Sequence, residues 1–237
     1  MYKNKKFLAI IPARGGSKRL PKKNILDLCG KPLISWSIEA GLKSKYIDQI
    51  VVSSDDDAVL CISKQYDITT IKRPENLSKD TSSTFQTIEH TIDFFKNNLG
   101  QEFDYIILLQ PTSPLRTPEH IDEAIELLYE KKATCIMSVT IMEHSPLWSN
   151  TLDDTLSMED FLSKDVINVN SQDLQKYYRL NGAIALCQKD RLLEEKSFFI
   201  KKNIFAYVMP QKYSIDIDTL FDLNFASFLL KSSRKNN

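Results

Sequence analysis

The chain has 237 residues, with 31 Lys plus Arg balanced by 31 Asp plus Glu and no formal net charge. That length suits a single domain with a sizeable core. The lack of a basic excess or an acidic tract excludes nucleic acid as an expected partner and a disordered solvating tail. No apolar stretch approaches the ~20 residues that span a bilayer, so no membrane partner is expected.

The first six residues, Met1 to Lys6, look like a signal n-region, but the apolar run behind them ends at Pro12 and is too short for an h-region. That run, Phe7–Ile11, predicts a buried strand. The loop behind it carries Gly15, Gly16 and Ser17 among five basic side chains, Arg14, Lys18, Arg19, Lys22 and Lys23, and ends at Asn24. Glycines let the backbone turn N–H groups toward an anion, and the cations can follow several phosphates at once. A strand entering such a loop is a natural nucleotide site in an α/β protein. Neither G-x-G-x-x-G nor G-x-x-x-x-G-K-[ST] is present, which disfavours dinucleotide enzymes and ordinary kinases. The competing reading is a solvated basic loop.

Strand and helix patterns then alternate. Pro32–Leu42 predicts a helix, Gln49–Ser53 a strand, Ala58–Tyr66 a helix and Ile68–Ile71 a short strand. The polar stretch from Arg73 to Thr84 leads into a helix over Thr84–Asn97, for which Asp80, Thr81 or Ser82 can serve as N-cap. Tyr105–Leu109 is an all-apolar central strand, Pro118–Lys131 a helix and Cys135–Val139 a strand. The rhythm breaks between about Thr140 and Lys176, read as an extension outside the sheet. It returns with a strand at Gly182–Leu186, segments at Asp190–Glu195 and Ile204–Met209, an amphipathic helix at Phe221–Leu230 and a frayed polar tail at Lys231–Asn237. Alternation of this kind implies a doubly wound, mostly parallel sheet in one domain over 1–237.

Three polar segments carry the remaining chemistry. Gln110 to Arg116 is stiffened by two prolines, and the Gln110 amide can read a base edge; the alternative is a rigid turn with a surface Arg116. Asp216 and Asp218 alternate with apolar residues, which in extended geometry puts both carboxylates on one face, roughly 6–7 Å apart. Such a pair can share a Mg²⁺ ion; the alternative is an edge strand with its polar face in water. Arg179 and Asn181 precede a small-residue strand and suit the carboxylate and hydroxyl of a sugar acid, or a strand-entry turn. Cys29, Cys61, Cys135 and Cys187 have no C-x-x-C spacing and read as core thiols in a reducing cytoplasm. His90, His120 and His144 lack metal-ligand spacing.

Taken in order, these segments resemble the N-acylneuraminate cytidylyltransferase family. The resemblance rests on Ile11-Pro12-Ala13-Arg14-Gly15-Gly16-Ser17-Lys18, Leu20-Pro21-Lys22-Lys23-Asn24, Val52-Ser53-Ser54-Asp55, Arg73-Pro74, Leu109-Gln110-Pro111-Thr112-Ser113-Pro114-Leu115-Arg116, Met142-Glu143-His144-Ser145-Pro146, Arg179-Leu180-Asn181-Gly182-Ala183-Ile184 and Ser214-Ile215-Asp216-Ile217-Asp218-Thr219. It implies a nucleotidyltransferase three-layer α/β sandwich with a dimerisation arm at about 140–176. The implied reaction is transfer of CMP from CTP to a nine-carbon keto sugar acid, N-acetylneuraminate ranking first and legionaminate, pseudaminate or Kdo as alternatives. It implies nucleotide contacts at Arg14, Gly15, Ser17, Lys23, Asn24, Arg73, Thr84 and Gln110, and sugar contacts at Gln110, Arg179 and Asn181. Asp216 and Asp218 match magnesium carboxylates, and Phe198-Phe199 matches an aromatic pair brought near the sugar by a partner subunit. Ser171, Gln175 and Ala185 depart from the family pattern on the sugar and arm side. The rival from another class is a silent sugar-nucleotide binding protein, against which Arg14, Lys23, Asp216 and Asp218 argue.

Overall fold

Strand β1 (Phe7–Pro12) shows how one sheet makes two cores. Phe7, Ala9 and Ile11 enter an apolar cluster on one face, Leu8 and Ile10 a cluster on the other, as a two-residue side-chain period requires. In the computed structural model, which describes residues 1–79 and 81–235, there follow α1 (Leu33–Lys43), β2 (Gln49–Ser54), α2 (Asp57–Lys64), β3 (Thr69–Lys72), α3 (Thr84–Leu99), β4 (Tyr105–Leu108), α4 (Pro118–Glu130), β5 (Cys135–Ile141), β6 (Tyr178–Gln188), α5 (Lys189–Glu195), β7 (Ile204–Val208) and α6 (Leu220–Lys235). Helices α1, α2 and α4 bring Ile34, Ile38, Val59, Ile121 and Ile125 to the first cluster. Helices α3 and α5 bring Ile88, Phe95 and Leu192 to the second. The result is the expected three-layer sandwich. Helix α6 closes a smaller cluster, with Leu223 and Ala226 against Leu28 and Leu33.

The described strands run in the order β3-β2-β1-β4-β6-β5-β7. Strand β6 is antiparallel to β4 and to β5, and the other pairings are parallel. The C-terminal ends of β1, β2 and β4 therefore open at one edge, and β6, running the other way, delivers its N-terminal end there. Ligands bind at that edge of open α/β sheets.

Strand β6 is longer than the sequence suggests, because Tyr178 and Arg179 pair with Ile141 and Thr140. Its ladder is interrupted: Met137 pairs with Ala185 but Val139 with Leu180, so Ser138 alone faces Asn181 to Ile184. That bulge made the N-terminal half of the strand read as a turn. The expected cap of α3 also moves. Ser83, not Thr81 or Ser82, accepts the Gln86 N–H, and the Gln86 side chain returns to the Ser83 N–H. Asp80 and the end of the tail at Asn237 lie outside the described residues.

Cys135 and Cys187 face each other across β5 and β6, with Cα atoms 4.1 Å apart, and form a disulfide. This corrects the expectation of free core thiols for that pair, and cysteine usage no longer argues for a reducing compartment. Residues 142–177 carry two short 3-10 turns, Pro146–Trp148 and Ser171–Asp173, and leave Leu152, Leu156, Met158 and Ile167 half or more exposed. Among the described residues no helix is long and apolar enough to cross a membrane.

Candidate active site

Two adjoining cavities open at this edge. The first, about 580 Å³, is lined by Arg14, Ser17, Lys18, Arg19, Lys23, Asn24, Arg73, Thr84, Gln110 and Asp218, among others. The second, about 440 Å³, is lined by Thr84, Gln110, Asn181, Phe198, Phe199 and Asp216, with mostly apolar neighbours. Thr84 and Gln110 belong to both and form the wall between them.

The basic loop is held in shape by its own backbone contacts. Asn24 is buried and donates through Nδ2 to the Arg14 carbonyl (2.9 Å). The glycine reading needs correction. The Gly15 N–H donates to Asp55 Oδ1 (2.9 Å) rather than facing the cleft, and neither Gly15 nor Gly16 has a positive φ. Gly15 is small for another reason: a Cβ there would sit 3.0 Å from Asp56 Cβ. The Gly15 N–H is thereby withdrawn from anion binding in this loop.

The cations have defined anchors. Lys23 Nζ donates to the Ile217 carbonyl (2.7 Å) and to Asp218 Oδ1 (2.9 Å), while Arg19 reaches Asp218 Oδ2 (2.9 Å). The Lys23 hydrogen bond, aided by the Arg19 charge, holds the Asp218 carboxyl below the usual aspartate range. Arg73 is buried against the end of β2, donating from Nε and an η nitrogen to the hydroxyl and carbonyl of Ser53. Burial lowers its pKa, with Asp55 opposing and the Arg14 charge adding to the fall.

The two carboxylates part company. Residues 215–219 form no strand, and Ile217 is fully buried between the aspartates. Asp218 faces the basic cleft and Asp216 the second cavity. Asp216 nevertheless feels its neighbour: burial foremost, then the Asp218 charge, raises the Asp216 pKa against a hydrogen bond from Thr112. No group of three or more His, Cys, Asp or Glu side chains converges among the described residues. Carboxylates with phosphate oxygens and water are the donor set that Mg²⁺ takes, but a cation shared by Asp216 and Asp218 would compete with Lys23 and Arg19 for the Asp218 oxygens.

Asn181 is an internal clamp. It is 1 % exposed; its Nδ2 donates to Ser214 Oγ (2.9 Å) and Met209 Sδ (3.3 Å), and its Oδ1 accepts from Ser138 Oγ (2.5 Å) and the Ala183 N–H (3.2 Å). These bonds fix the β6 bulge, in which Gly182 takes φ +68 and lies under the Gln110 amide. Arg179 lines neither cavity and pairs with Glu143 (3.1 Å). Phe198 and Phe199 line the second cavity of their own chain, where the resemblance placed such a pair at a neighbour's site.

Sequence reasoning missed Arg116. It is no surface residue: 3 % exposed, it donates to the carbonyls of Ala183 (2.6 Å) and Gln110 (3.3 Å) and to Ser37 Oγ (2.7 Å). Burial brings its pKa down to about 9, which leaves it charged at neutral pH. It ties the loop after β4 to the bulge, and with them the wall between the cavities. Its acceptors lie 6, 67 and 79 positions away, so no local pattern announced them.

This arrangement is that of the nucleotidyltransferase-type folds. The structure of a CMP:2-keto-3-deoxy-manno-octonic acid synthetase complexed with CTP superposes with TM-score 0.71 at 18% identity, covering 96% of this chain and 99% of the other. A 4-diphosphocytidyl-2C-methyl-D-erythritol synthase from Anaerococcus prevotii gives 0.62 at 17% identity, covering 96% of each. The cytidylyltransferase family model matches residues 8–229, and the chain belongs to that family. It is 36% identical to an N-acylneuraminate cytidylyltransferase of Escherichia coli over 93% of this chain, but spans about half (51%) of that longer protein. It is 35% identical to a pseudaminic acid cytidylyltransferase of Campylobacter jejuni, covering 95% of this chain and 97% of the relative. With a CMP-N,N'-diacetyllegionaminic acid synthase of Legionella pneumophila it shares 36%, covering 92% and 93%.

Proposed function

We propose that the chain transfers CMP from CTP to the anomeric hydroxyl of a nine-carbon sialic-type sugar acid and releases pyrophosphate. The observation that carries this reading is the pair of cavities with Asp218 in the cationic one, Asp216 in the other and Gln110 in their shared wall. A triphosphate needs the first, a sugar the second, and the reacting atoms must meet between them. N-acetylneuraminate, pseudaminate and legionaminate are the acceptors that the relatives' names support.

In this reading Arg14, Lys23 and Arg73, with Ser17 and Asn24, hold the triphosphate. Their charge stabilises pyrophosphate as the bond to the α-phosphorus breaks, a step governed by alignment and charge neutralisation rather than a covalent nucleophile. Thr84 and Gln110 orient nucleotide and acceptor across the wall. Asp216 and Asp218 would hold Mg²⁺, which supplies Lewis-acid polarisation of phosphate oxygens when bound. Phe198 and Phe199 shape the sugar side, Asn181 acts through the bulge, and Arg179 sits at the outer rim. The exposed apolar residues of 142–177 pack against a second copy in a homodimer. An enzyme that consumes CTP works in the cytoplasm, where CTP is made.

The test is sugar-dependent pyrophosphate release. Incubation with CTP, Mg²⁺ and each of the three acids is expected to yield pyrophosphate and a CMP-sugar. Binding of CTP without turnover on any of them would instead support a silent nucleotide-binding protein.

A further inference from the structure

We propose that the second cavity selects its acceptor by an apolar end: it takes a nine-carbon keto sugar acid whose tail carries methyl groups, from N-acyl substituents and a deoxygenated terminal carbon, over one whose tail ends in hydroxyls. This rests on the cytidylyl-transfer reading above and names the acceptor class within it.

The polar groups of this cavity are unevenly distributed and mostly engaged. Ser138 Oγ is bonded to Asn181 Oδ1, to the Ile184 carbonyl (3.0 Å) and to the Ile184 N–H (2.8 Å). Asn181 has both its donors and its carbonyl in use. Ser197 Oγ accepts the Phe199 N–H (2.9 Å). That leaves the side chains of Thr84, Gln110 and Asp216 and the O–H of Ser197, of which Thr84 and Gln110 stand on the wall shared with the cationic cleft. No Lys or Arg among the described residues lines the cavity. The residues that line this cavity and not the cationic cleft are mostly apolar, Phe85, Met137, Ala185, Leu192 and Phe198 among them.

The chemistry fixes which end of the sugar goes where. The anomeric carbon must meet the α-phosphorus, so the anomeric hydroxyl and the carboxylate beside it lie at the polar wall. The opposite end then lies among the aromatic and aliphatic side chains. A hydroxyl buried there without a partner loses its bonds to water, a penalty of about tenfold or more in affinity for each. A methyl group in the same place gains from leaving water. Ala185, only 6 % exposed and small, leaves room for an N-acyl methyl.

The experiment compares two acceptors at saturating CTP: N-acetylneuraminate, with its glycerol tail, and N,N'-diacetyllegionaminate, with a second acetamido group and a terminal methyl. The expected result is a kcat/KM about tenfold or more higher for the second, carried by KM. Met137→Gln, nearly isosteric, adds a donor and an acceptor to the apolar side. It is expected to narrow the ratio severalfold at unchanged KM for CTP, with Phe85→Tyr as a second variant should Met137→Gln not melt cooperatively. Equal efficiency, or a preference for N-acetylneuraminate, overturns the selection and leaves cytidylyl transfer standing. Pyrophosphate from neither acid but from pseudaminate overturns the selection as drawn and leaves cytidylyl transfer standing, whereas none from any of the three, with a protein that melts cooperatively, overturns both.

Discussion

At Arg116 a buried cation holds two backbone carbonyls, that of Ala183 buried and that of Gln110 partly so. Replacing it by Met removes a desolvated charge but leaves the Ala183 and Gln110 acceptors without that donor. Gln110 keeps the Ser37 hydroxyl as a donor, but the buried Ala183 carbonyl loses its Arg116 partner at a cost above the relief, so we expect Arg116→Met to lose about 2 kcal/mol in urea unfolding and to lower turnover through Gln110. A variant as stable and as active as the parent would remove the clamp. Asp218 makes a different test. Its folded pKa is depressed below 3.8 by Lys23 and Arg19, so its contribution to stability is full above that value and is lost as pH falls through the folded one. The melting-temperature gap between the parent and Asp218→Asn should hold from pH 7 to about 4 and close in more acid solution; a gap unchanged at pH 3 would contradict the ion pairing. Neither residue was equally legible. The aspartate pair stood out in the sequence through its alternation. Its division between two cavities did not, because that depends on how Ile217 buries itself and turns the chain.

At the level of elements, periodicity was the readable signal. The apolar runs of β1, β2, β4 and β5 and the helices α1, α3 and α4 were expected within a few residues of where they lie, since each buries one or both faces against the core. What failed was whatever required a partner to be known. The β6 bulge is set by Ser138 and Asn181 across the ladder, and the strand was expected only from Gly182 onward. Gly182→Ala places a Cβ 3.1 Å from Gln110 Oε1 at φ +68. It should cost ~1–2 kcal/mol and raise KM for the acceptor more than for CTP; an unchanged KM ratio would detach the bulge from the site. The cap of α3 was readable in principle, as Ser83 and Gln86 spell a capping box. Ser83→Ala should lower stability by about 1 kcal/mol in thermal or urea unfolding. Since Ser83 and Thr84 line the cleft, fraying there should also weaken CTP binding, which calorimetry would show.

For the whole molecule, the proposed homodimer rests on the segment 142–177. Its exposed Leu156, Met158 and Ile167 would be covered by a second copy. We expect light scattering to give twice the chain mass, and Leu156→Asp with Met158→Lys to give a monomer whose sheet still melts cooperatively; a parent protein that is monomeric at assay concentration would return the segment to intrachain packing. The interruption of secondary-structure rhythm was visible in the sequence, while the Cys135–Cys187 bond was not, because it follows from a strand register that no spacing encodes. The contact of Lys23 with Asp218 joins positions 195 apart. A ribosome adding about 5–20 residues per second needs ~10–40 s to bridge that interval. The nascent chain thus exposes Lys23 and Arg19 long before the carboxylate that meets them exists, and the proposed catalytic competence, unlike the first strands of the sheet, waits on synthesis beyond Asp218.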